Sequence, residues 1–419
     1  MGVLLLALTS VLAHAADTTA TSAPRFTVNS TVDAPDANVG DGICASTADG
    51  SRCTLRAAVQ EADTVSGSTV VVPAGRFRLS IPPLSAETLP GSTMAVDGAT
   101  GDLDINQVMT VRGAGPGRTV IDGSGLDRVF AIGNVGTGHL SDMTVTGGDP
   151  SQLGTNQGIA LGGAIFNGGA ITLDRMALVG NRADGGGGMF SIPGTAPVIR
   201  DTLIAGNRAY SGGGLRLDAG ATIVNSTITG NTLLPLPPTA DALPRRPFPT
   251  VFALAVDEGS GWGGGIDNRG GGDVVILNST ITNNHAIKGG GGVAAGQGYA
   301  PVDPAVALGV MTLRNTIIAG NSSTAGPGGC HIKDQVIRSL GHNLASDGSC
   351  FLTAAGDHPN TNPKLGRLAS NGGPTQTQAL LRGSPAINAA TGCPDHDQRG
   401  FVRPAGKRCD IGAFEYISR

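Results

Sequence analysis

Aromatic residues are scarce in this chain, 3% of 419 residues with a single Trp, so a globular core built on large rings is excluded. Charge is scarce as well: 14% charged residues and a net charge of -4 provide no basic field, which excludes nucleic acid and anionic lipid as main partners. Beyond the first 15 residues no run approaches the ~18 apolar residues of a membrane helix. Closely spaced Cys or His pairs of the kind zinc requires are missing, and His139, His331, His342, His358 and His396 read as scattered surface residues. Glycine, by contrast, is extreme at 67 residues. It follows no three-residue period and stands beside 40% apolar residues, which argues against collagen and against disorder.

What is present is a recurring phrase: "ALVGNRADGGGGMF", "LIAGNRAYSGGGLRL", "STITGN", "STITNNHAIKGGGGV" and "TIIAGN". Each copy joins a few aliphatic or β-branched residues, an Asn in a Gly-Asn or Asn-Asn pair, a polar turn and usually a glycine run. Asn181, Asn207, Asn231, Asn284 and Asn321 are separated by 26, 24, 53 and 37 residues. A period of about 25, stretched by insertions, is the signature of a solenoid. Short apolar runs broken by Gly, Asn and Asp, without helical stretches between them, exclude a βαβ fold. They predict an all-β, single-stranded right-handed parallel β-helix of the pectate-lyase kind, with roughly nine coils stacked ~4.8 Å apart into a rod about 40 Å long. Stacked at one turn, the asparagines are expected to form a hydrogen-bonded ladder. The glycines supply positive-φ turns and close coil packing. Asn225-Ser226-Thr227 and Asn278-Ser279-Thr280 match glycosylation sequons but belong to the repeat itself.

Several segments break the rhythm. Residues 1–15 read as a signal peptide ending at Ala13-His14-Ala15, although no positive residues precede their apolar core, and 16–25 as a flexible leader. Residues 26–66 form an N-terminal cap, in which "CTLRAAVQEAD" places Leu55, Ala58, Val59 and Ala62 on one helix face. The β-helix is expected over 67–328, with insertions at 232–261 and 297–309 that emerge on its side, and a C-terminal closing module over 329–419. Six cysteines fit an exported, oxidised protein. Their number allows 15 pairings, but they fall into sequence-local pairs: Cys44 with Cys53, Cys330 with Cys350, and Cys393 with Cys409.

The C-terminal ~75 residues resemble the choice-of-anchor Q module of bacterial exported proteins. The likeness rests on Gly372-Gly373-Pro374-Thr375, Gly383-Ser384-Pro385-Ala386-Ile387, Asp397-Gln398-Arg399-Gly400, Arg403-Pro404 and Cys409-Asp410-Ile411-Gly412-Ala413-Phe414-Glu415. The N-terminal cap resembles the CSLREA domain, whose motif here reads Cys53-Thr54-Leu55-Arg56-Ala57-Ala58; the departures at Thr54 and Ala57 still suit a helix start. "GGAIFN" at 162–167 is similar to the repeats of polymorphic outer-membrane proteins. These resemblances imply a bacterial, exported β-helix protein, released or held non-covalently at the cell surface, since no sorting motif, membrane helix or translocator barrel is recognised.

The same fold carries polysaccharide lyases and glycoside hydrolases, so paired carboxylates were sought. The candidates are Asp257, Glu258 and Asp267, with Arg269, His285 and Lys288 close by. Asp267 and His285 are equally read as turn residues facing water. Trp262 with Phe252 and Tyr299 is a candidate sugar-stacking platform, although Trp262 can equally plug the root of the insertion. Asp36, Asn38 and Asp41 are candidate calcium ligands, although Asx-turn chemistry explains the same loop and Thr47 stands where an EF-hand closes with Glu. The expectation is a monomeric, exported or surface-associated protein with a binding, adhesion-like or structural role, contacting polysaccharide or surface glycan and needing no cofactor beyond possible calcium. A lyase or hydrolase is the alternative.

Overall fold

The protein is described by a computed structural model covering residues 23–48, 51–83, 98–150, 160–235, 260–269, 272–296, 309–333 and 336–418. Within these residues the chain coils through three long sheets of ten, nine and eight strands, parallel throughout, which we call the first, second and third in the order one coil meets them. One coil runs through Ala170–Asp174, Ala177–Val179 and Met189–Ser191 before returning to the first sheet at Val198–Arg200. This is the expected parallel β-helix.

Alternation along each short strand sends aliphatic side chains inward, where they stack in register. Leu173, Ile199, Ile223, Ile276 and Leu313 form one column. Leu178, Ile204, Ile228, Ile281 and Ile318 form another. Each fully buried aliphatic side chain contributes roughly 1.5–3 kcal/mol, so many repeated columns replace the aromatic core that the composition lacks.

Two corners explain the repeated phrase. Between the first and second sheets a single left-handed residue turns the chain: Asp142, Arg175, Asp201, Asn225, Asn278 and Asn315 have φ between 45° and 60°. Ser or Thr follows in the later coils and accepts from the amide one coil below, as Ser226 Oγ does from Thr202 N at 3.2 Å. Asn-Ser-Thr is therefore corner geometry, and Asn225 and Asn278 are both buried. After the second sheet, Gly180, Gly206, Gly230 and Gly320 are left-handed and Asn283 takes their place in one coil, which accounts for the alternation of Gly-Asn with Asn-Asn. The next residue builds the expected ladder. Asn181, Asn207, Asn231 and Asn284 each donate from Nδ2 to the Oδ1 of the Asn one coil on, at 2.9–3.0 Å. Each also donates to a backbone carbonyl of the coil below. The glycine runs complete the turn: Gly212 is left-handed, and a Cβ on Gly213 would stand 2.5 Å from the carbonyl of Gly264.

The helix Leu55–Asp63 closes the first coils. Thr54 caps it by accepting from Ala57 N at 3.1 Å, so the residue that departs from the CSLREA pattern is a good N-cap. Burial extends beyond the expected face: Arg56 is also enclosed, pairing with Asp33 at 2.7 Å and donating to the carbonyls of Gly98, Gly101 and Asp102. The disulfides join Cys44 to Cys53, Cys330 to Cys350 and Cys393 to Cys409, as expected. Some boundaries move. Arg25–Thr27 already pairs in the first sheet, Thr232–Leu233 still belongs to a coil, and coils continue through Cys330–Ile332, Val336–Ser339 and Leu344–Ala345.

The last residues run back along the side of the rod over the outer face of the second sheet. Leu368 packs on Ala177, Leu203 and Ala205. Gln398 accepts from Thr227 at 2.6 Å, Gln378 accepts from Thr282, and Ala413 N donates to Thr280 at 3.0 Å. Asn225 Nδ2 reaches the carbonyl of His396 at 2.8 Å, which places the first sequon beneath this module. Burial raises the pKa of Asp201, at this contact, and of Asp410, within the module, to about 6 in each case. An aspartate whose folded pKa is raised adds stability that is complete below about pH 4 and is lost as pH rises through about 6. Asp201→Asn is therefore expected to flatten the fall in melting temperature between those limits; an unchanged pH profile would reject this assignment.

Candidate functional site

On the third sheet the middle residue of each strand points away from the coil interior, because its neighbours on both sides fill the core. Read along the rod, this outward row is Phe166, Phe190, Arg216, Asp267, Ala294 and His331. It changes character in order: apolar, then charged, then small, then aromatic.

At the apolar end Phe166 and Phe190 stack with centroids 5.7 Å apart beside Leu161. Arg216 bridges to the next stretch, its guanidinium 5.2 Å over Phe190 and its Nε 3.1 Å from Asp218. Asp267 follows in register. Its Oδ2 pairs with Arg269 Nε at 2.7 Å and accepts from Ser211 Oγ at 2.7 Å, while Arg269 Nη2 donates to the same hydroxyl at 2.7 Å. Asp267 Oδ1 is buried without a hydrogen-bond partner. Burial pushes the Asp267 carboxyl up and the Arg269 guanidinium down, against their mutual attraction. Desolvation of this size accompanies ion pairs taken out of water.

The far end is aromatic. Trp262 stacks on His331 with centroids 4.0 Å apart and 25° between planes, and Lys288 Nζ lies 6.0 Å from the Trp ring centre. A side chain on Gly289 would come within 3.0 Å of the Trp ring, so that glycine opens the space in which the stack forms. Both Trp262 and His331 stay half-buried, and burial holds the His331 imidazole below its usual pKa.

Several expectations are revised here. Asp267 does not face water at a turn: it is fully enclosed in an ion pair, because strand alternation places it on the buried outward row. His285 is held rather than solvated, with Nδ1 3.0 Å from Ser322 Oγ and Nε2 3.3 Å from Thr324 Oγ1. His331 is no scattered surface residue but the base of the Trp262 stack, and His342 Nδ1 bonds the carbonyl of Ala389 at 2.7 Å. Asp257, Glu258, Phe252 and Tyr299 lie outside the described residues. Trp262 and Asp267 sit in the same coil, and the sequence had already placed them near one another. Phe166, Phe190, Ser211, Arg216 and Asp218 were missed. The glycine repeat that precedes each strand was the signal that could have found them, since it fixes which residue faces out.

In the cap loop, Asp36 accepts from Asn38 N and Ala45 N, and Asp41 accepts from Ile43 N and Asn38 Nδ2. Glu61 reaches in to accept from Gly40 N and Gly42 N. The loop oxygens are thus engaged by Asx turns and backbone amides. Among the described residues no three His, Cys, Asp or Glu gather in an arrangement suited to a metal, and no helix is long and apolar enough to cross a membrane. No known protein-family profile matches the chain, and no curated protein is similar to it.

Proposed function

We propose that this is an exported β-helix protein that works by binding, with the aromatic end of the third sheet's outward row as a carbohydrate contact. The observation carrying this reading is the Trp262–His331 stack: a half-buried indole held flat by an uncharged imidazole is a rigid apolar plate of the kind sugar rings pack against. Export is supported by the three disulfides. The likeness of the cap and C-terminal stretch to CSLREA and choice-of-anchor Q sequences agrees with a bacterial surface or released protein. Binding is favoured over catalysis because Asp267, the described member of the candidate carboxylates, is committed to Arg269 and Ser211 inside the protein.

A glycan array with the wild type and Trp262→Ala tests this, alongside an assay for unsaturated or reducing ends on acidic polysaccharides. Glycan binding without product, reduced about tenfold or more by Trp262→Ala, is expected, since loss of one buried aromatic contact is worth on the order of 1–2 kcal/mol. Turnover abolished by Asp267→Asn would establish an enzyme instead. Binding indifferent to Trp262 would remove the platform.

A further inference from the structure

We propose that the corner between the first and second sheets, over the coils nearest the N-terminal cap, is a docking surface for a linear polyuronate, whose carboxylates are met by a ladder of arginines. This deepens the carbohydrate-binding reading and rests on it, but it places a second contact on a different side of the rod, with different chemistry.

The charge there is opposite to that of the whole. In a chain of net charge -4, six arginines converge on this corner: Arg76, Arg78, Arg112, Arg118, Arg175 and Arg200. Three aspartates pair with them, and each of the two most recessed carries two guanidiniums. Asp122 binds Arg76 at 2.7 Å and Arg78 at 3.6 Å; Asp142 binds Arg175 at 2.7 Å and Arg112 at 3.7 Å. The third, Asp174, shares Arg175. A surplus of cationic charge therefore remains.

The two charges also occupy different depths. The Asp122 and Asp142 side chains are 9% and 14% exposed, whereas those of Arg76, Arg78, Arg112 and Arg175 are 51%, 69%, 66% and 38% exposed. Carboxylates lie beneath and guanidiniums above. Arg175 is held by two parallel bonds to Asp142, at 2.7 and 2.9 Å, and by Asp174. Such bonds fix the side chain before any ligand arrives, which removes part of the entropy cost of binding.

Register makes the cluster a ladder. Arg112, Ser141, Asp174 and Arg200 are consecutive partners across four coils of the first sheet, and Arg78 faces Asp122 on the second. Coils repeat every ~4.8 Å, comparable with the length of one pyranose ring, so successive coils meet successive sugars of a chain laid along the rod. Arg118 and Arg200 are exposed. The C-terminal module does not close the corner over these coils; its contact with the rod begins near Asp201, where Thr375 Oγ1 donates to the carbonyl at 3.1 Å.

The cation type selects the ligand. The whole chain has four lysines, Lys288, Lys333, Lys364 and Lys407, and none belongs to this corner. Guanidinium presents two parallel donors matched to a carboxylate, where ammonium offers a point charge. No aromatic ring interleaves the arginines, so the stacking that single-stranded nucleic acid requires is missing.

Calorimetric titration with polygalacturonate and with alginate, at about 0.15 M ionic strength so that bare surface attraction is screened, tests the proposal. Dextran serves as the neutral control, and DNA and dextran sulfate as polyanion controls. The wild type is expected to bind the polyuronates and to lose affinity as salt rises. Arg112→Gln with Arg175→Gln and Arg200→Gln should weaken binding tenfold or more and flatten the salt dependence. Arg118→Gln with Arg200→Gln, which breaks no ion pair seen in the structure, should weaken it severalfold with an unchanged melting temperature. Trp262→Ala should leave it unaltered. Polyuronate affinity unchanged in both arginine variants, or DNA and dextran sulfate bound as tightly as polyuronate, overturns the corner. If neutral glycans bind through Trp262 while polyuronates do not bind, the corner fails alone. If the wild type binds no glycan of either kind, the carbohydrate reading fails with it.

Discussion

Asn231→Ala is expected to lower the unfolding free energy by about 3–5 kcal/mol, because each buried polar group left without its partner costs about 1–3 kcal/mol. Asn231 is the middle rung of the ladder. Its Oδ1 accepts from both the backbone N and the Nδ2 of Asn207, each at 3.0 Å. Its Nδ2 donates to the Ile204 carbonyl at 3.0 Å and to Asn284 Oδ1 at 2.9 Å. Alanine removes the acceptor for two buried donors at once, and the site is fully enclosed, so water cannot replace it. Asn231→Asp should be no better, since a second oxygen would then face two acceptors. Asn321→Ala is the internal control. Asn321 ends the series and is partly exposed, so water can take over its bonds and the loss should be about 1 kcal/mol. Urea unfolding of the three variants measures the difference. Equal losses at positions 231 and 321 would mean that the ladder is incidental to stability.

The second large effect lies in the C-terminal module. Arg403 and Glu415 form an ion pair at 2.9 Å, both fully buried. Arg403 also donates to the carbonyls of Asp410 and Gly412, and Glu415 accepts from the amides of Ala405 and Asp410. Beside them Asp397 receives Arg399, whose guanidinium lies 3.5 Å from the ring centre of Phe414 and 4.4 Å from that of Phe401. The residues that carry the likeness to the anchor module are thus a buried polar knot. Arg403→Met would strand the Glu415 carboxylate, and removing one member of a buried pair costs about 3–5 kcal/mol. Because the module touches the rod mainly through separate polar contacts, it should loosen while the coils persist. Limited proteolysis is expected to cut Arg403→Met after the coils end, with the far-ultraviolet circular dichroism of the rod retained. A protease pattern identical to the wild type would show that the knot does not hold the module. Glu415→Gln, which keeps an acceptor oxygen, should be the milder change.

How much of this could be read in the sequence depended on repetition. Asn181 to Asn321 gave the period, and the period gave the coil, because any residue placed at one turn recurs at that turn one coil later. Thr54 was legible as a helix start, and the cysteine pairs were legible because each is short-range. Asp267 was misread as a solvated turn residue: its burial depends on strand alternation and on packing outside its own phrase. The His331 contact with Trp262 was invisible for a similar reason, since 69 residues separate the two and neither belongs to the repeated positions.

The sequence alone determined the rod, its two ladders and its glycine turns, since stacking makes each coil the template for the next and the same local solution is written again in each copy. Tertiary structure alone decided which outward faces stay open. The second sheet's outer face is covered by a module whose Gln398 and Thr375 meet Thr227 and Asp201 across 171 and 174 residues. The third sheet's row is buried, and the arginine corner near the cap is left in water. Outward side chains meet segments that occur once, so no period records what covers them.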